Sequence, residues 1–368
     1  MKIVLSGGGT AGHIYPALAL ADRLVELGHD IVFVGTDKGL ESKLVARAGI
    51  DFVALPAAGF NRSKPLSFLT SGAMVASSSF KAKKLLKNFG AQAVIGFGGY
   101  VSIPVGVAAS RTHTPLIIHE QNSVAGMANN FLAKYASLVC VTYPDTVSAM
   151  EKVAKGEVIV TGNPVRKEIL TANRAQARAE LGLKEDEVFI FVFGGSRGAR
   201  HINAAFSSCI GELLNHGGVK VLHMTGAGEY DAVCESLGDL VDDTRLTVRS
   251  YVENMGEVLA ATDLALCRAG ATSIAELTAL GVPSVLVPYP YATGDHQTKN
   301  ARALVDHGAA RLITDSELDS GVLRDTLFEL VDDTALRRKM GQASSRLGGR
   351  NATELLVDGI YSVIDDEK

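Results

Sequence analysis

Tryptophan is absent from the 368 residues, aromatic side chains make up only 6%, and cysteine occurs four times, as Cys140, Cys209, Cys234 and Cys267. No CxxC pair or histidine cluster accompanies these cysteines, so neither a zinc site nor a disulfide-stapled framework is suggested. Cys140 and Cys267 lie in apolar segments and read as small buried hydrophobes. No apolar run reaches the roughly 18 residues of a membrane-spanning helix. The segment Met1–Gly7 enters a strand rather than the apolar core of a signal peptide, so the reading is of a soluble cytosolic chain. Gly-x-x-x-x-Gly-Lys-Ser/Thr is missing, which argues against a P-loop nucleotide hydrolase. Asp-x-Asp is missing too, and with it the commonest metal–diphosphate clamp of sugar transferases.

One further absence is local. From Phe52 to His119 there is no acidic residue, while Arg62, Lys64, Lys81, Lys83, Lys84, Lys87 and Arg111 supply seven positive charges. Residues 1–165 carry 15 Lys/Arg against 10 Asp/Glu, and the remainder 21 against 30, so the net charge of −4 hides a basic first half. Such a stretch suits an anionic partner, and equally an ordinary solvated face.

What the chain does hold is glycine, 38 residues of it, and 47% hydrophobic content. The length fits two domains. Continuous β-branched runs predict strands at Ile3–Ser6, Ile31–Gly35, Phe52–Leu55, Ala93–Phe97, Leu116–His119, Leu138–Val141 and Val158–Thr161. After a break near Gly162-Asn163-Pro164 they resume at Val188–Phe193, Val219–Met224, Leu246–Val248, Leu264–Cys267, Ser284–Val287 and Arg311–Ile313. Helical patterns lie between them, at Pro16–Leu27, at about Val165 to Leu181, and through a tail from about Leu323 to Ile364. Unbroken apolar strands alternating with helices indicate α/β architecture, with parallel sheets buried on both faces.

Each half opens with a strand, a glycine turn and a helix. Gly7-Gly8-Gly9-Thr10-Ala11-Gly12 satisfies GxGxxG, a turn whose amides face a ligand at a helix N-terminus. His13 follows directly, either as a proton acceptor for an attacking hydroxyl or as a structural cap of the turn. Asp37 stands where a dinucleotide enzyme would hold a ribose, so a nicotinamide-dependent oxidoreductase stays open. A second turn, Gly96-Phe97-Gly98-Gly99-Tyr100-Val101-Ser102, widens the anion-receptive region. In the second half, Gly194-Gly195-Ser196 ends a strand and can meet a diphosphate. Arg268 to Glu276 opens a helix, with Ser273 and Glu276 spaced as a capping box that would explain Glu276 structurally. Asp295-His296-Gln297 closes another strand-to-helix turn.

Taken with His119-Glu120-Gln121-Asn122 and Thr161 to Arg166, these motifs resemble, along essentially the full length, the MurG family of glycosyltransferases. The resemblance implies a GT-B fold: two Rossmann-like doubly wound parallel-sheet domains with a cleft between them. Residues 1–163 would form an N-terminal acceptor and membrane-associating domain, with the C-terminal helix (about 350–364) packing back on it. Residues 164–349 would bind UDP-GlcNAc.

It further implies inverting transfer of GlcNAc from UDP-GlcNAc to undecaprenyl-diphosphate-MurNAc-pentapeptide, without metal or other cofactor, in peptidoglycan synthesis. Thr10, Ala11, Gly12, Asn122, Arg166, Ser196, Val252, Ala271, Thr272, Ser273, Ile274, Ala275, Glu276 and Gln297 would contact the donor, Glu276 through the ribose. His13 would be the general base, and Gly9, Gly98, Gly99, Tyr100 and Ser102 would meet the acceptor diphosphate. Arg62, Lys64, Phe68, Lys81, Lys83 and Lys84 would rest on an anionic bilayer at the cytoplasmic face, though the apolar residues among them suit a core equally well. No nucleic-acid partner is implied.

One departure bears on shape. Ile103 stands before Pro104 where the family usually has glycine, and a branched side chain resists positive φ, so the resemblance leaves the shape of the second loop and its acceptor contacts open. A UDP-GlcNAc 2-epimerase and a non-catalytic sugar-nucleotide sensor are the remaining alternatives. The first would need catalytic carboxylates, and the second leaves the acceptor-side turns without a use.

Overall fold

The computed structural model describes residues 1–37, 39–56, 67–195 and 198–366, with the side chains of 67–73 and 366 left aside. It divides into two compact units, Met1–Arg166 with Gly349–Lys368, and Lys167–Gly348.

Among the described residues, the first unit holds seven parallel strands: β1 (Lys2–Ser6), β2 (Asp30–Gly35), β3 (Asp51–Ala54), β4 (Ala93–Gly96), β5 (Leu116–Glu120), β6 (Leu138–Val141) and β7 (Glu157–Val160). They lie in the order β3-β2-β1-β4-β5-β6-β7. Helices α1 (Ala11–Glu26), α2 (Leu40–Arg47), α3 (Ser67–Phe89), α4 (Ser102–Thr112), α5 (Met127–Leu132) and α6 (Pro144–Glu151) connect them. The strands are buried because their residues are apolar on both faces: Ile3, Leu5, Phe33 and Ile95 pack beneath α1 and α2. Val4, Val34, Val94 and Ile118 pack beneath α3 to α6.

The second unit repeats the plan with β8 (Val188–Phe193), β9 (Val219–Met224), β10 (Leu246–Arg249), β11 (Leu264–Cys267), β12 (Ser284–Leu286) and β13 (Ala310–Leu312), ordered β10-β9-β8-β11-β12-β13. Its helices are α7 (Lys167–Leu170), α8 (Arg174–Glu180), α9 (Arg200–His216), α10 (Tyr230–Leu237), α11 (Met255–Ala261), α12 (Ala271–Leu280), α13 (His296–Val305), α14 (Val322–Asp332) and α15 (Thr334–Leu347). A last helix, α16 (Ala352–Asp366), belongs to the first unit, where Leu356, Val357 and Ile360 join the core around α1. Cys140 and Cys267 are buried in β6 and β11, and desolvation pushes both thiols up.

Every predicted strand is present, most within a residue of its expected ends. The helices differ more. The first begins at Ala11, five residues before Pro16, so the proline sits inside it rather than at its start. The expected long helix at Val165–Leu181 is two short ones, α7 and α8, and the tail is three, interrupted at Asp333 and around Gly348. Ile103 lies in the first turn of α4, and His113 and Asp295 are the non-glycine residues with positive φ among those described. The branched side chain therefore needs no left-handed backbone.

Candidate active site

Strand order fixes where ligands can enter. In the first unit the chain leaves β1 toward one edge and β4 toward the other, so a crevice opens at their carboxyl ends. Ser6 pairs with Val34 on one side and Gly96 on the other, which releases the turns after Ser6 and Gly96 side by side. They touch closely: Gly99, at φ +82°, leaves no room for a methyl group against the Gly8 carbonyl. The N-termini of α1 and α4 follow these turns. A helix cannot satisfy its own first-turn amides, so both ends present donors and the positive pole of a dipole to an anion.

His13 stands in the first turn of α1, partly exposed. Its Nδ1 lies 2.8 Å from the Gly8 carbonyl oxygen and 3.3 Å from Thr10 Oγ1. A carbonyl only accepts, so Nδ1 carries a hydrogen, and in the neutral ring Nε2 holds the lone pair. Nε2 faces Gly98, where an added Cβ would come within 3.3 Å of it. A group arriving over Gly98 therefore meets a proton acceptor.

The remaining expected residues of this unit divide in two. Gly9 and Thr10 are exposed, Ala11, Gly12 and Asn122 are partly so, and Tyr100 is exposed at the second turn. Ser102 is buried; its hydroxyl donates to the Ser6 and Gly98 carbonyls and its amide donates to Gly99, so it secures the loop. Arg166 ends the unit with its guanidinium 4.3 Å from the centre of the Tyr15 ring, a cation–π contact.

Sequence reasoning missed two buried carboxylates. Glu120 accepts from the Asn122 and Gly126 amides and from the Asn129 side chain at 2.8 Å, which shapes the loop carrying Asn122. Glu41 accepts from Thr36 and from the Gly9 amide. Neither spacing signals the role, since Glu41 and Gly9 are brought together only by the pairing of β1 with β2. His119 beside Glu120 donates to the Gly162 carbonyl through Nε2, and burial lowers its imidazole to about 4.

In the second unit the switch lies between β8 and β11, whose ends, Phe193 and Cys267, pair directly. The turn at Gly194-Gly195 leads to α9, and Arg268-Ala269-Gly270 leads to α12, so two helix N-termini again converge. Arg268 is committed to the scaffold: it donates to the Val287 and Pro288 carbonyls and pairs with Asp315 at 2.5 Å. Asp315 also meets His201 at 2.7 Å, and that hydrogen bond raises the imidazole against the opposing effect of burial.

The N-cap of α12 is Gly270, without a side-chain cap, so Ser273 and Glu276 lie inside the helix and form no capping box. Thr272, Ser273 and Ala275 are partly exposed, while Ala271 and Glu276 are buried. Ile274 has a buried side chain, and its amide donates to the Gly270 carbonyl. Gln297, in the first turn of α13, accepts from the Tyr289 amide at 2.9 Å. Val252 follows β10 and lines a pocket of about 370 Å³ with Leu222, Arg249, Tyr251 and Asn254.

Ser196, Arg62 and Lys64 lie outside the described residues, as does the side chain of Phe68. On α3, Phe80, Lys81 and Lys84 are exposed along one stripe and Lys83 partly so. No helix among the described residues is long and apolar enough to cross a membrane.

Comparison with known proteins agrees with this layout. Residues 3–141 match the glycosyltransferase family 28 N-terminal domain, and residues 189–356 match the family 28 C-terminal domain. The UDP-N-acetylglucosamine–N-acetylmuramyl-(pentapeptide) pyrophosphoryl-undecaprenol N-acetylglucosamine transferase of Halothermothrix orenii is 40% identical over 362 residues, covering 97% of this chain and 98% of its own. The enzyme of that name from Leuconostoc mesenteroides is 41% identical over 368 residues, covering 100% and 99%. The crystal structure of Acinetobacter baumannii MurG superposes with a TM-score of 0.78 at 30% identity, over 98% of this chain and 99% of that one. Identity at this level along both units, with two doubly wound sheets, places the chain in glycosyltransferase family 28 and, within it, in the MurG family.

Proposed function

We propose that this chain transfers GlcNAc from UDP-GlcNAc to undecaprenyl-diphosphate-linked MurNAc-pentapeptide, with inversion at the sugar C1 and without a metal. Family membership sets aside the oxidoreductase and epimerase readings. The observation that carries the mechanism is His13, whose Nδ1 is tied to the Gly8 carbonyl so that Nε2 is the acceptor beside Gly98.

In the proposed step, Nε2 takes the proton of the acceptor hydroxyl as its oxygen attacks C1 of GlcNAc. The bond from C1 to the diphosphate oxygen breaks, and its electron pair leaves with UDP. A single displacement of this kind inverts the centre. Amides at the helix N-termini and the Arg166 guanidinium offset the charge that develops on the diphosphate. The missing Asp-x-Asp supports a route in which these groups replace a cation.

The N-terminal turns suit the acceptor diphosphate through Gly9, Gly98, Gly99 and Tyr100. Thr10, Ala11, Gly12 and Asn122 are assigned to the donor sugar. In the C-terminal unit the amides of Ala271, Thr272 and Ser273 suit the UDP diphosphate, with Glu276 on the ribose. Val252 follows β10, two strands over from β8, which suits the nucleoside end of a donor whose diphosphate sits at the switch point. The exposed stripe of Phe80, Lys81 and Lys84, with Lys83 beside it, supports peripheral attachment to an anionic bilayer at the cytoplasmic face. Each such cation contributes on the order of 1 kcal/mol near the surface.

The test is calorimetric titration with UDP-GlcNAc, UDP-glucose and NADH in EDTA, followed by turnover of the His13→Ala enzyme. Selective, EDTA-resistant binding of UDP-GlcNAc is expected, with turnover reduced at least about 100-fold and donor affinity unchanged. Binding of NADH alone would overturn the donor assignment. Parental turnover in His13→Ala would remove the base. Co-sedimentation with anionic vesicles, weakening with salt, checks the membrane face.

A further inference from the structure

Glu41 is wholly buried, and the structure gives it no cationic partner among the described residues. A carboxylate in that position needs hydrogen-bond donors. Oε1 receives the Thr36 amide at 3.0 Å and the Thr36 hydroxyl at 2.6 Å, and Oε2 receives the Gly9 amide at 3.4 Å. The surrounding chain is cut to fit it. A Cβ at Gly8 would lie 2.6 Å from Oε1, one at Gly35 would lie 2.6 Å from Cγ, and one at Gly39 would overlap both oxygens. The glycines beside Glu41 thus make room for a side chain as well as for a ligand.

The Gly9 N–H and the Gly8 C=O belong to one trans peptide unit and point in opposite directions. Glu41 holds one end of that unit and His13 Nδ1 the other. Two consecutive glycines would let the peptide flip at little cost. An ionised carboxylate accepts but cannot donate, so it admits only the orientation with N–H toward itself and C=O toward His13. It also polarises the peptide, which strengthens the carbonyl as an acceptor.

We infer that Glu41 is a positioning residue that acts on His13 through the Gly8–Gly9 peptide, fixing the Nδ1–H tautomer and keeping Nε2 free to take a proton. The inference rests on the reading of His13 as the base. The other charged groups of this region are Glu120, linked through Asn129 on the far side of Gly98, and Arg166 over Tyr15. The Glu120 carboxylate receives Asn122, Gly126 and Asn129.

The experiment compares the full-length enzyme with Glu41→Gln by nitrogen-15 NMR of the His13 ring and by steady-state kinetics. Gln keeps an oxygen for Thr36 but turns an NH2 toward Gly9, where a flipped carbonyl can accept from it. The parent is expected to show Nδ1–H in its neutral ring, and the variant a mixture of tautomers. In the variant kcat falls about tenfold or more, and KM for UDP-GlcNAc stays within about twofold of the parent. An Nε2–H tautomer in the parent overturns the inference, as do a parental spectrum and parental turnover in folded Glu41→Gln. If that variant does not fold, Thr36→Val loosens the same carboxylate while keeping its charge. It should shift the His13 spectrum in the same direction but less, and a parental spectrum there overturns the inference too. A His13→Ala enzyme with full turnover would instead defeat the base reading and leave the tautomer result standing.

Discussion

At the scale of single residues, the glycines show how a motif can be found correctly and explained incompletely. GxGxxG marks the turn after β1, and its usual explanation is approach to a ligand. That explanation suits Gly9, which is exposed with open space where a Cβ would be. Gly8 answers instead to Glu41, and Gly99 to the Gly8 carbonyl, contacts that link residues 33 or more positions apart in sequence and were not legible from local pattern. A contrast tests this. Gly99→Ala must both hold φ at +82° and displace backbone, so a loss of more than about 3 kcal/mol in urea unfolding is expected, with turnover abolished. Gly195 has φ +85° but no atom of the described residues within 4 Å of its Cβ position, so Gly195→Ala should cost only the left-handed strain of about 1–2 kcal/mol. Equal costs for the two would refute the packing account.

At the scale of elements, strands were legible and helix starts were not, for a physical reason. Strands buried on both faces are written as continuous apolar runs such as Val188–Phe193, and that signal ends where the strand ends. Helix starts depend on caps, and here the caps are often backbone. Gly39, Gly126 and Gly270 precede α2, α5 and α12 without a side-chain cap. Pro16 and the Ser273-x-x-Glu276 spacing are good start signals, yet both lie inside helices, because the turns feeding the switch points place the first helical residue directly after the glycines. Much of the candidate site was therefore legible as motifs, while the roles of Ser102 and Ile274 within them were not. If Ser273 is not a cap, Ser273→Ala should change stability by less than about 0.5 kcal/mol, where loss of a true N-cap costs about 1 kcal/mol. The same variant should weaken UDP-GlcNAc binding, since the residue is partly exposed beside the second switch point. Thermal unfolding and calorimetry on one sample separate the two effects.

At the scale of the whole molecule, the chain is cut unevenly. The C-terminal unit is one continuous segment, Lys167–Gly348, whereas the N-terminal unit needs Gly349–Lys368 to complete its core. Leu356, Val357 and Ile360 are nearly or wholly inaccessible to solvent, and a Cβ at Gly359 would lie 2.9 Å from Leu138 Cδ2, so α16 lies directly against β6. Burying three such side chains contributes about 1.5–3 kcal/mol each, on the scale of the stability of a whole domain. Segment 167–348 expressed alone should then fold cooperatively, and segment 1–166 alone should not, recovering only when 349–368 is supplied. Acid provides an independent readout in the folded fragment. His223 is buried on β9 with its ring edge-on to Phe206, and burial lowers its imidazole to about 4. The unfolded chain takes up that proton near pH 6.5, so between these values it binds more protons than the folded one, and stability falls as pH falls. The loss reaches up to about 3 kcal/mol by pH 4. His223→Phe replaces the ring without a titrating group, and urea unfolding of that fragment at pH 7 and pH 4.5 should lose less stability than the parent fragment. A parental slope in the variant would mean that the acid sensitivity of this unit arises elsewhere.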